Sequence, residues 1–362
     1  MSDTAVIPLE TRDGVPLFRL TTGESTVIDE LVDAAMVSFG ASLVPDFLEL
    51  ALLAHHLPER LRRVATHFRL TGRPYGGFIL SGLPVDETRV EPTPMSYTIT
   101  DKDPYTVRME TLLLLIGSLI GDPFSFATQQ RGRLVLDVFP IPGHEKRQLG
   151  TSSNVLLEWH NEDAFLADRP DWIILMGLRN PDKTATTLGL VDDLDLDPDV
   201  RRVLFEDRFV LLPDDSHTAA LNSEIAGDED PQHADTSFAA ITAMSDTPEP
   251  TPILSGDRAA PFVRIDPAFM KFDLDDPEAE AALSAVITAI NERLCDVVLE
   301  PGEMLLVDNK RAVHGRHPFT PRFDGTDRWL KRILITGDLR RSDGLRGGDH
   351  GRAVHRHHQS QP

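Results

Sequence analysis

The sequence predicts a mainly β fold with flanking helices, whose core is a jelly-roll, cupin-like sandwich or barrel. Two contrasting patterns lead to this prediction. In about the first 125 residues, apolar side chains recur at helical spacing, as Ile28, Leu31 and Val32 do. From Arg133 onward, short apolar or alternating runs are interrupted by Gly, Pro and Asp. Many short strands separated by turn residues are typical of jelly rolls and related β architectures.

Four helices are predicted. Ser25 and Thr26 can cap the first, a second covers about 46–65, and a third, apolar one covers 104–120. A fourth, from 278 to about 299, interrupts the strands. The runs that predict strands are 134–138, 172–176, 208–212, 252–254, 262–265, 303–307 and 329–336.

We expect a single domain over residues 1–345, with a helix-rich part at about 1–125 and a jelly-roll core at about 126–340. Residues 222–250 are acidic, rich in small residues and end in two prolines, so they predict an irregular lid over the site. The polar residues 346–362 predict a flexible tail.

Charge and cysteine content restrict the classes of function. Lys and Arg number 36 against 58 Asp and Glu, which gives a net charge of −22. Such a surface repels nucleic acid and anionic membranes and attracts cationic small molecules. The only cysteine, Cys295, cannot form an internal disulfide, and the apolar run 112–120 is far shorter than the roughly 20 residues that span a bilayer. We therefore expect a cytoplasmic protein without nucleic-acid or membrane partners; its oligomeric state stays open.

Candidate metal ligands lie in the run Trp159-His160-Asn161-Glu162-Asp163-Ala164-Phe165 and, far along the chain, at His314. On an extended strand His160 and Glu162 would point the same way. Two imidazoles and one carboxylate on one face of an octahedral metal leave its other positions open, as in non-haem Fe(II) oxygenases.

Arg328 follows His314 by fourteen residues. A guanidinium binds a carboxylate through two parallel hydrogen bonds, so Arg328 suits the distal carboxylate of a dicarboxylate co-substrate such as 2-oxoglutarate. A salt bridge to Asp324 or Asp327 in the same turn is the structural alternative. The other cations of this region, Arg316, Arg322 and Lys331, are expected to be solvated.

Together with several further blocks, these residues resemble the clavaminate-synthase-like Fe(II)/2-oxoglutarate-dependent oxygenases. Within that group the chain is most similar to the arginine and enduracididine hydroxylases of peptide-antibiotic pathways. The resemblance implies a double-stranded β-helix, bound Fe(II), and 2-oxoglutarate and O₂ as co-substrates. The matching blocks are 127–130, 159–165, 178–182, 185–188, 212–217, 307–309 and 311–332.

The same resemblance implies roles for individual residues. Thr187 would assist Arg328 with 2-oxoglutarate, and Arg332 would bind the carboxylate of an amino-acid substrate. The remaining substrate contacts would be Gln129 and Glu162 to the α-amino group, and Asp214, Ser216 and Asp266 to a cationic side chain. Asp214 could instead be an ordinary turn residue after Pro213.

One departure from the family bears on the substrate. The viomycin-type arginine hydroxylases carry Asp-x-Asp where this chain has Asp266-Pro267-Ala268, whereas the enduracididine hydroxylases have Asp-Pro there. One carboxylate of a cation clamp is therefore missing. Arginine, cyclic guanidino amino acids such as enduracididine, citrulline and lysine all stay open as substrates.

The expected activity is hydroxylation of Cβ or Cγ of a free basic L-amino acid in secondary metabolism. Desaturation begins with the same hydrogen abstraction and stays an alternative. Two other classes are a non-catalytic amino-acid- or metal-binding barrel, which has no use for Arg328, and a zinc hydrolase, which has no use for a keto-acid site.

Overall fold

The computed structural model describes residues 9–40, 45–73, 76–97, 103–191, 194–222, 231–272, 274–347 and 350–356. Its helices are α1 (Thr22–Phe39), α2 (Phe47–Ala54), α3 (Glu59–Thr71), α4 (Pro104–Gly117), α5 (Pro198–Leu204), α6 (Ala219–Asn222), α7 (Pro231–Asp246) and α8 (Pro277–Asn291). Within this part of the chain no helix combines the length and apolar character needed to cross a bilayer.

The strands are short, as the sequence predicts. They are β1 (Glu10–Arg12), β2 (Val15–Arg19), β3 (Gly77–Ser81), β4 (Asp122–Phe126), β5 (Leu136–Val138), β6 (Leu157–His160), β7 (Trp172–Arg179), β8 (Thr186–Leu190), β9 (Leu254–Ser255), β10 (Phe262–Val263), β11 (Leu294–Val297), β12 (Met304–Asp308), β13 (Ala312–Arg316), β14 (Trp329–Thr336), β15 (Arg346–Gly347) and β16 (Ala353–Val354).

Two sheets form the core. The larger has ten strands in the order β1-β2-β3-β12-β7-β14-β4-β16-β15, with β5 also paired to β14. The smaller has the order β11-β8-β13-β6, and β9 and β10 form a separate hairpin. The described strands thus form a sandwich of jelly-roll type rather than a closed barrel, and the prediction of a mainly β fold with flanking helices is confirmed.

Alternating residues of the central strands build separate cores on the two faces of the large sheet. On β7, Ile173 and Leu175 face the small sheet and pack in one core with Leu188 of β8 and Ala312 of β13. Ile174 faces the opposite way, into a core that includes helices α1 to α4. A strand buried on both faces has a nearly continuous apolar sequence, as this one has. Helix α8 covers the outer face of the small sheet, where its Val286 and Ile290 share a core with Val313 of β13.

Several predicted boundaries are wrong. The helix predicted over 278–299 ends at Asn291, and the chain continues as β11 because its residues pair with β8. Residues 208–212 form isolated bridges only, from Phe209 to Thr251 and from Leu211 to Met270. Three strands, β1 to β3, lie within the part predicted to be helical, where short strands carry little periodic signal.

The predicted lid is partly helical. Residues 231–246 form α7, and Ile241 of this helix is buried in the core between the sheets. An irregular conformation was therefore the wrong prediction for this part, because polar and small residues dilute its apolar periodicity. Residues 223–230 lie outside the described residues, and the role of 222–250 as a lid stays a prediction.

The predicted tail is also corrected. Strand β16 pairs in parallel with β4, and Ala353, Val354 and His355 are buried. Arg356 forms an ion pair with Asp168. Main-chain pairing and burial therefore fix residues 350–356 against the sheet, although their composition resembles that of a mobile tail. Residues 357–362 lie outside the described part.

Strand β14 rests on a buried charge cluster. Lys331 is fully buried, with Nζ 2.6 Å from Asp137 Oδ1 and 2.8 Å from Glu110 Oε1. The indole of Trp329 donates to the same Asp137 oxygen at 2.8 Å. Lys331, expected to be solvated, instead joins helix α4 to the strand that follows Arg328.

Replacing Lys331 by Met should destabilise the fold, because it leaves two buried carboxylates without their cation. Breaking a buried pair from one side costs about 3–5 kcal/mol. Denaturant unfolding of wild type and Lys331→Met measures this difference, with Lys271→Met, at an exposed position, as the control. Equal stability of the two variants would contradict a structural role for the cluster.

Candidate active site

A cavity opens between the two sheets and contains nearly all the predicted site residues. We call it the active-site cavity. Its lining includes Gln129, His160, Glu162, Asp163, Thr186, Asp214, Ser216, Asp266, His314, Arg316, Arg328 and Arg332. Residues from β6, β8, β13 and β14 and from two 3₁₀ turns thus meet at one place.

The two histidines face each other across paired strands. His314 of β13 lies directly opposite His160 of β6, and their ring centroids are 4.7 Å apart. Gly315 permits this close pairing, because a Cβ there would lie only 2.6 Å from the main-chain oxygen of Leu157. The main-chain oxygen of Glu158 accepts a hydrogen bond from His160 Nδ1 at 2.8 Å, so Nε2 remains free to ligate a metal.

Glu162 reaches the histidines from a turn, not from an extended strand as predicted. Strand β6 ends at His160. Asn309 fixes the main chain of Glu162 from both sides: its Oδ1 accepts from Glu162 N at 2.7 Å, and its Nδ2 donates to Glu162 O at 3.0 Å. Asn161 donates to the main-chain oxygens of Asn309 and Ala312, which ties this turn to the start of β13.

The three side chains fit a divalent metal. Their ligating atoms all lie within 4.8 Å of one another, and His314 Nε2 is 3.4 Å from Glu162 Oε2. Burial lowers the pKa of His314 to about 4, which keeps the imidazole neutral with a lone pair available for ligation. Two imidazoles and one carboxylate match the donor set of non-haem Fe(II) sites.

Arg328 is a buried cation without an anionic partner among the described residues. It is 5% exposed; Nη2 donates to Thr186 Oγ1 at 3.0 Å, and Nε has no hydrogen-bond partner. Asp327, its possible salt-bridge partner, instead accepts from two main-chain amides of the preceding loop. Burial lowers the pKa of Arg328 to about 9. An unpaired buried guanidinium is costly, so the site fits an anion such as the distal carboxylate of 2-oxoglutarate.

Two residues beside Arg328 differ from the prediction. The cavity is lined by Thr186, whereas Thr187, one residue further along β8, belongs to the other face of the strand. The threonine that contacts Arg328 is therefore Thr186, not Thr187. Arg316, expected to be solvated, is 2% exposed and donates to Ser152 Oγ at 2.8 Å. Its place two residues after His314 on β13 is a period-2 signal that could have identified it.

Arg332 also faces the cavity. Its Nη1 lies 2.7 Å from each carboxylate oxygen of Glu162, while its Nε is buried without a partner. Residues 328, 330 and 332 alternate with 329 and 331, so both arginines lie on the cavity face of the chain and Lys331 on the other. The binding of a substrate carboxylate by Arg332 stays a prediction.

The opposite wall is acidic. Asp214 caps a 3₁₀ turn, where its carboxylate accepts from Ser216 N at 2.8 Å, and the Ser216 hydroxyl accepts from Gln129 Nε2 at 3.0 Å. Asp266 is 8% exposed and accepts from Ala268 N at 3.1 Å. Burial, and to a lesser degree the nearby carboxylate of Asp214, raise the pKa of Asp266 to about 7.

Sequence reasoning missed the pair formed by Asp163 and His217. His217 is fully buried, and its Nε2 lies 2.8 Å from Asp163 Oδ1. Asp163 directly follows the metal ligand Glu162, and its left-handed φ of 51° turns its side chain toward the cavity. No spacing rule identifies such a pair, because its members lie 54 residues apart.

Comparison with known proteins agrees with this geometry. The profile described as "Taurine catabolism dioxygenase TauD, TfdA family" matches residues 107–334. The chain therefore belongs to the TauD/TfdA family. It is an Fe(II)- and 2-oxoglutarate-dependent dioxygenase.

Individual relatives cover most of the chain. It is 39% identical over 297 residues to the enduracididine β-hydroxylase of Streptomyces hygroscopicus, spanning 81% of this chain and 86% of that protein. It is 38% identical to the L-ornithine/L-arginine 3-hydroxylase of Catenulispora acidiphila, spanning 91% and 98%. The non-haem iron oxygenase OrfP, crystallised with Fe, succinate and (3S)-hydroxy-L-Arg, is 39% identical with a TM-score of 0.85, covering 94% of this chain and all of OrfP.

Removing either histidine ligand should abolish iron binding and turnover while the fold persists. His160→Ala or His314→Ala leaves two protein ligands of three. The control is His317→Ala, which changes an exposed histidine on the same segment. Iron content after anaerobic loading and succinate formation are the two measurements. Near-normal values for both in either ligand variant would show that the assignment is wrong.

Arg328→Lys should weaken 2-oxoglutarate binding while iron binding persists. Lysine keeps a charge but loses the planar fork, and a hydrogen bond to a charged group contributes about 1.5–3 kcal/mol, or roughly 10- to 100-fold in affinity. Anaerobic titration of 2-oxoglutarate into the Fe(II)-loaded protein measures the change. Arg322→Lys is the matched control, because Arg322 is exposed and pairs with Asp182 at the surface. Unchanged affinity in Arg328→Lys would exclude this residue as the keto-acid partner.

Proposed function

We propose that this chain hydroxylates an unactivated carbon, Cβ or Cγ, of a free basic L-amino acid in secondary metabolism. Fe(II) is held by His160, Glu162 and His314, and 2-oxoglutarate by Arg328 with Thr186. The reaction consumes the amino acid, 2-oxoglutarate and O₂ and yields the hydroxylated amino acid, succinate and CO₂. One oxygen atom enters the substrate and the other enters succinate, so the protein needs to supply only binding and orientation.

The acidic wall of the active-site cavity is the observation that carries the choice of substrate. The carboxylates of Asp214 and Asp266 line the cavity, and neither has an ion-pair partner among the described side chains. Buried carboxylates are stable as anions only beside a cation or several hydrogen-bond donors. Arg332 Nε, unpaired at the other wall, can receive a carboxylate. A molecule with a carboxylate at one end and a cation at the other satisfies both walls.

The relatives support the same class of substrate. Two of them are named for enduracididine and for ornithine and arginine, and OrfP has been crystallised with a hydroxylated arginine. Ala268 lies at the distal wall beside Asp266 and provides no second carboxylate. We therefore include arginine and the bulkier cyclic guanidino amino acids in the proposal.

The lone Cys295 fits a reaction in the reducing cytoplasm, where we place it.

The test is anaerobic Fe(II) loading followed by incubation with O₂, 2-oxoglutarate and a panel of basic, neutral and acidic amino acids. We expect succinate and a product that has gained one oxygen atom with a basic amino acid. Loss of two hydrogens instead would show desaturation. Exclusive turnover of neutral or acidic amino acids would overturn the substrate class and leave the oxygenase assignment intact.

Asp266→Asn should reduce the preference for cationic side chains over neutral ones. The change keeps the size of the side chain and its hydrogen bond from Ala268 N but removes the charge. Competition between arginine and citrulline measures the preference, which should fall by roughly 10- to 100-fold. Asp257→Asn makes the same chemical change at an exposed position and serves as the control. An unchanged preference in Asp266→Asn would remove Asp266 from the cation site.

A further inference from the structure

Arg316 is a second buried cation in the active-site cavity. It lines the cavity, and the residue is only 2% exposed. Its hydrogen bonds go to neutral acceptors of a single loop: Nη2 donates to Ser152 Oγ at 2.8 Å and to Val155 O at 3.3 Å, and Nη1 to Ser153 O at 3.3 Å. Its Nε is buried without a partner. None of the described acidic side chains forms an ion pair with Arg316.

The surroundings of this guanidinium account for its position but not for its charge. Its carbon atom Cζ lies 5.0 Å from the centre of the Phe319 ring, a cation–π contact. This contact and the bonds to the loop hold the side chain in one place. Removing an ion from water costs more than such neutral partners return. A buried charge of this kind therefore indicates an anion that the described part of the protein does not itself supply.

Strand pairing places Arg316 beside the two residues that we assign to the keto acid. Arg316 of β13 lies directly opposite Thr186 of β8, and both line the cavity. Side chains opposite each other on one face of an antiparallel pair have Cβ atoms roughly 4.5–5.5 Å apart. Thr186 Oγ1 in turn accepts from Arg328 Nη2 at 3.0 Å. One hydroxyl therefore contacts one guanidinium and lies next to the other.

The two guanidiniums act on each other. Burial and, to a lesser degree, the charge of Arg316 lower the pKa of Arg328 to about 9. Like charges raise each other's energy most strongly where water is excluded, and an anion close to both removes that repulsion. The geometry of the pair is thus suited to an anion that binds at Arg328 and lies within the field of Arg316.

We propose that Arg316 is the second cation of the keto-acid site and that its charge makes the site select a keto acid with a distal carboxylate. This inference rests on the proposed binding of 2-oxoglutarate by Arg328 with Thr186. In this arrangement Arg328 provides the hydrogen-bonding fork. Arg316, whose Nη atoms are already bonded to residues 152–155, provides a fixed positive field. A keto acid without the distal carboxylate would leave both buried cations without a counter-ion, so it should bind poorly.

Two keto acids test the proposal. 2-Oxoglutarate carries the distal carboxylate, and 2-oxopentanoate has a methyl group in its place but the same keto-acid end. Their affinities are measured by calorimetry on the anaerobic Fe(II)-loaded protein, for wild type, Arg316→Gln and Arg316→Lys. The matched control is Arg322→Gln, the same chemical change at an exposed arginine of the following segment.

We expect Arg316→Gln to weaken 2-oxoglutarate by roughly 10- to 100-fold and to leave 2-oxopentanoate nearly unchanged, because only the first ligand interacts with the missing charge. The control should bind both ligands as the wild type does. Equal weakening of the two keto acids would make Arg316 a support of the whole site, and unchanged binding of both would make it irrelevant to the keto acid. Either result would overturn the proposal.

Arg316→Lys separates the charge from the hydrogen bonds to the loop. Lysine keeps the charge but loses the planar fork that reaches three acceptors. The preference for 2-oxoglutarate over 2-oxopentanoate should therefore stay close to that of the wild type. A loss as large as in Arg316→Gln would assign the effect to the loop at 152–155 and contradict a role for the charge.

The keto-acid site itself can fail separately. Wild-type protein that binds the two keto acids equally would overturn the roles of both arginines. A wild-type preference that Arg328→Gln reduces and Arg316→Gln does not change would overturn the role of Arg316 alone. Should Arg316→Gln fail to fold, Arg328→Gln still tests the proposal, because Arg316 is then the cation that remains. A residual preference of roughly tenfold for 2-oxoglutarate is expected there, and complete loss of preference would exclude Arg316.

Discussion

The pairing of β6 with β13 is the constraint on which the rest of the site depends. It places His160 opposite His314 although 154 residues separate them in sequence, and only a glycine at 315 allows the two main chains to approach so closely. Asn161 and Asn309 then link the turn after β6 to the residues that precede β13. Because these amides bond main-chain atoms, the position of Glu162 follows from the strand pairing, not from its own side chain.

The second constraint is the distribution of unpaired charge. The cavity contains a guanidinium, Arg328, and a carboxylate, Asp266, that form no ion pair with the described protein groups. Each is costly in the free protein. Binding of oppositely charged ligands removes that cost. Co-substrate and substrate should therefore raise the stability of the folded protein when they bind. The ion-paired cluster of Lys331, Asp137 and Glu110 on the other face of β14 shows the contrast between structural and functional charge.

The sequence predicts the architecture, and it identifies His160 and Glu162, which the structure brings together with His314, since strand patterns and the His-x-Glu motif are local signals. It fails where tertiary contacts decide. Thr186 and Thr187 differ only in which face of β8 each occupies, and this depends on pairing with β11 and β13. Residues 350–356 have a polar composition, yet their main chain adds β16 to the large sheet between β4 and β15. The role of His217 is invisible in sequence, because its partners Thr128 and Asp163 are distant along the chain.

On the proposed assignment, the two ends of the cavity control different kinds of selectivity. Arg332, with Gln129 and Glu162 as the resemblance implies, would hold the α-carbon beside the metal site, so the carbon presented to the metal would be one or two bonds away, whatever lies beyond it. Asp266 and Ala268 line the cavity, and on this assignment they would meet only the side-chain terminus. Changes at the distal wall should therefore alter which amino acid is accepted without moving the site of hydroxylation. Relatives that differ at this wall can then act on different basic amino acids and still react close to the α-carbon.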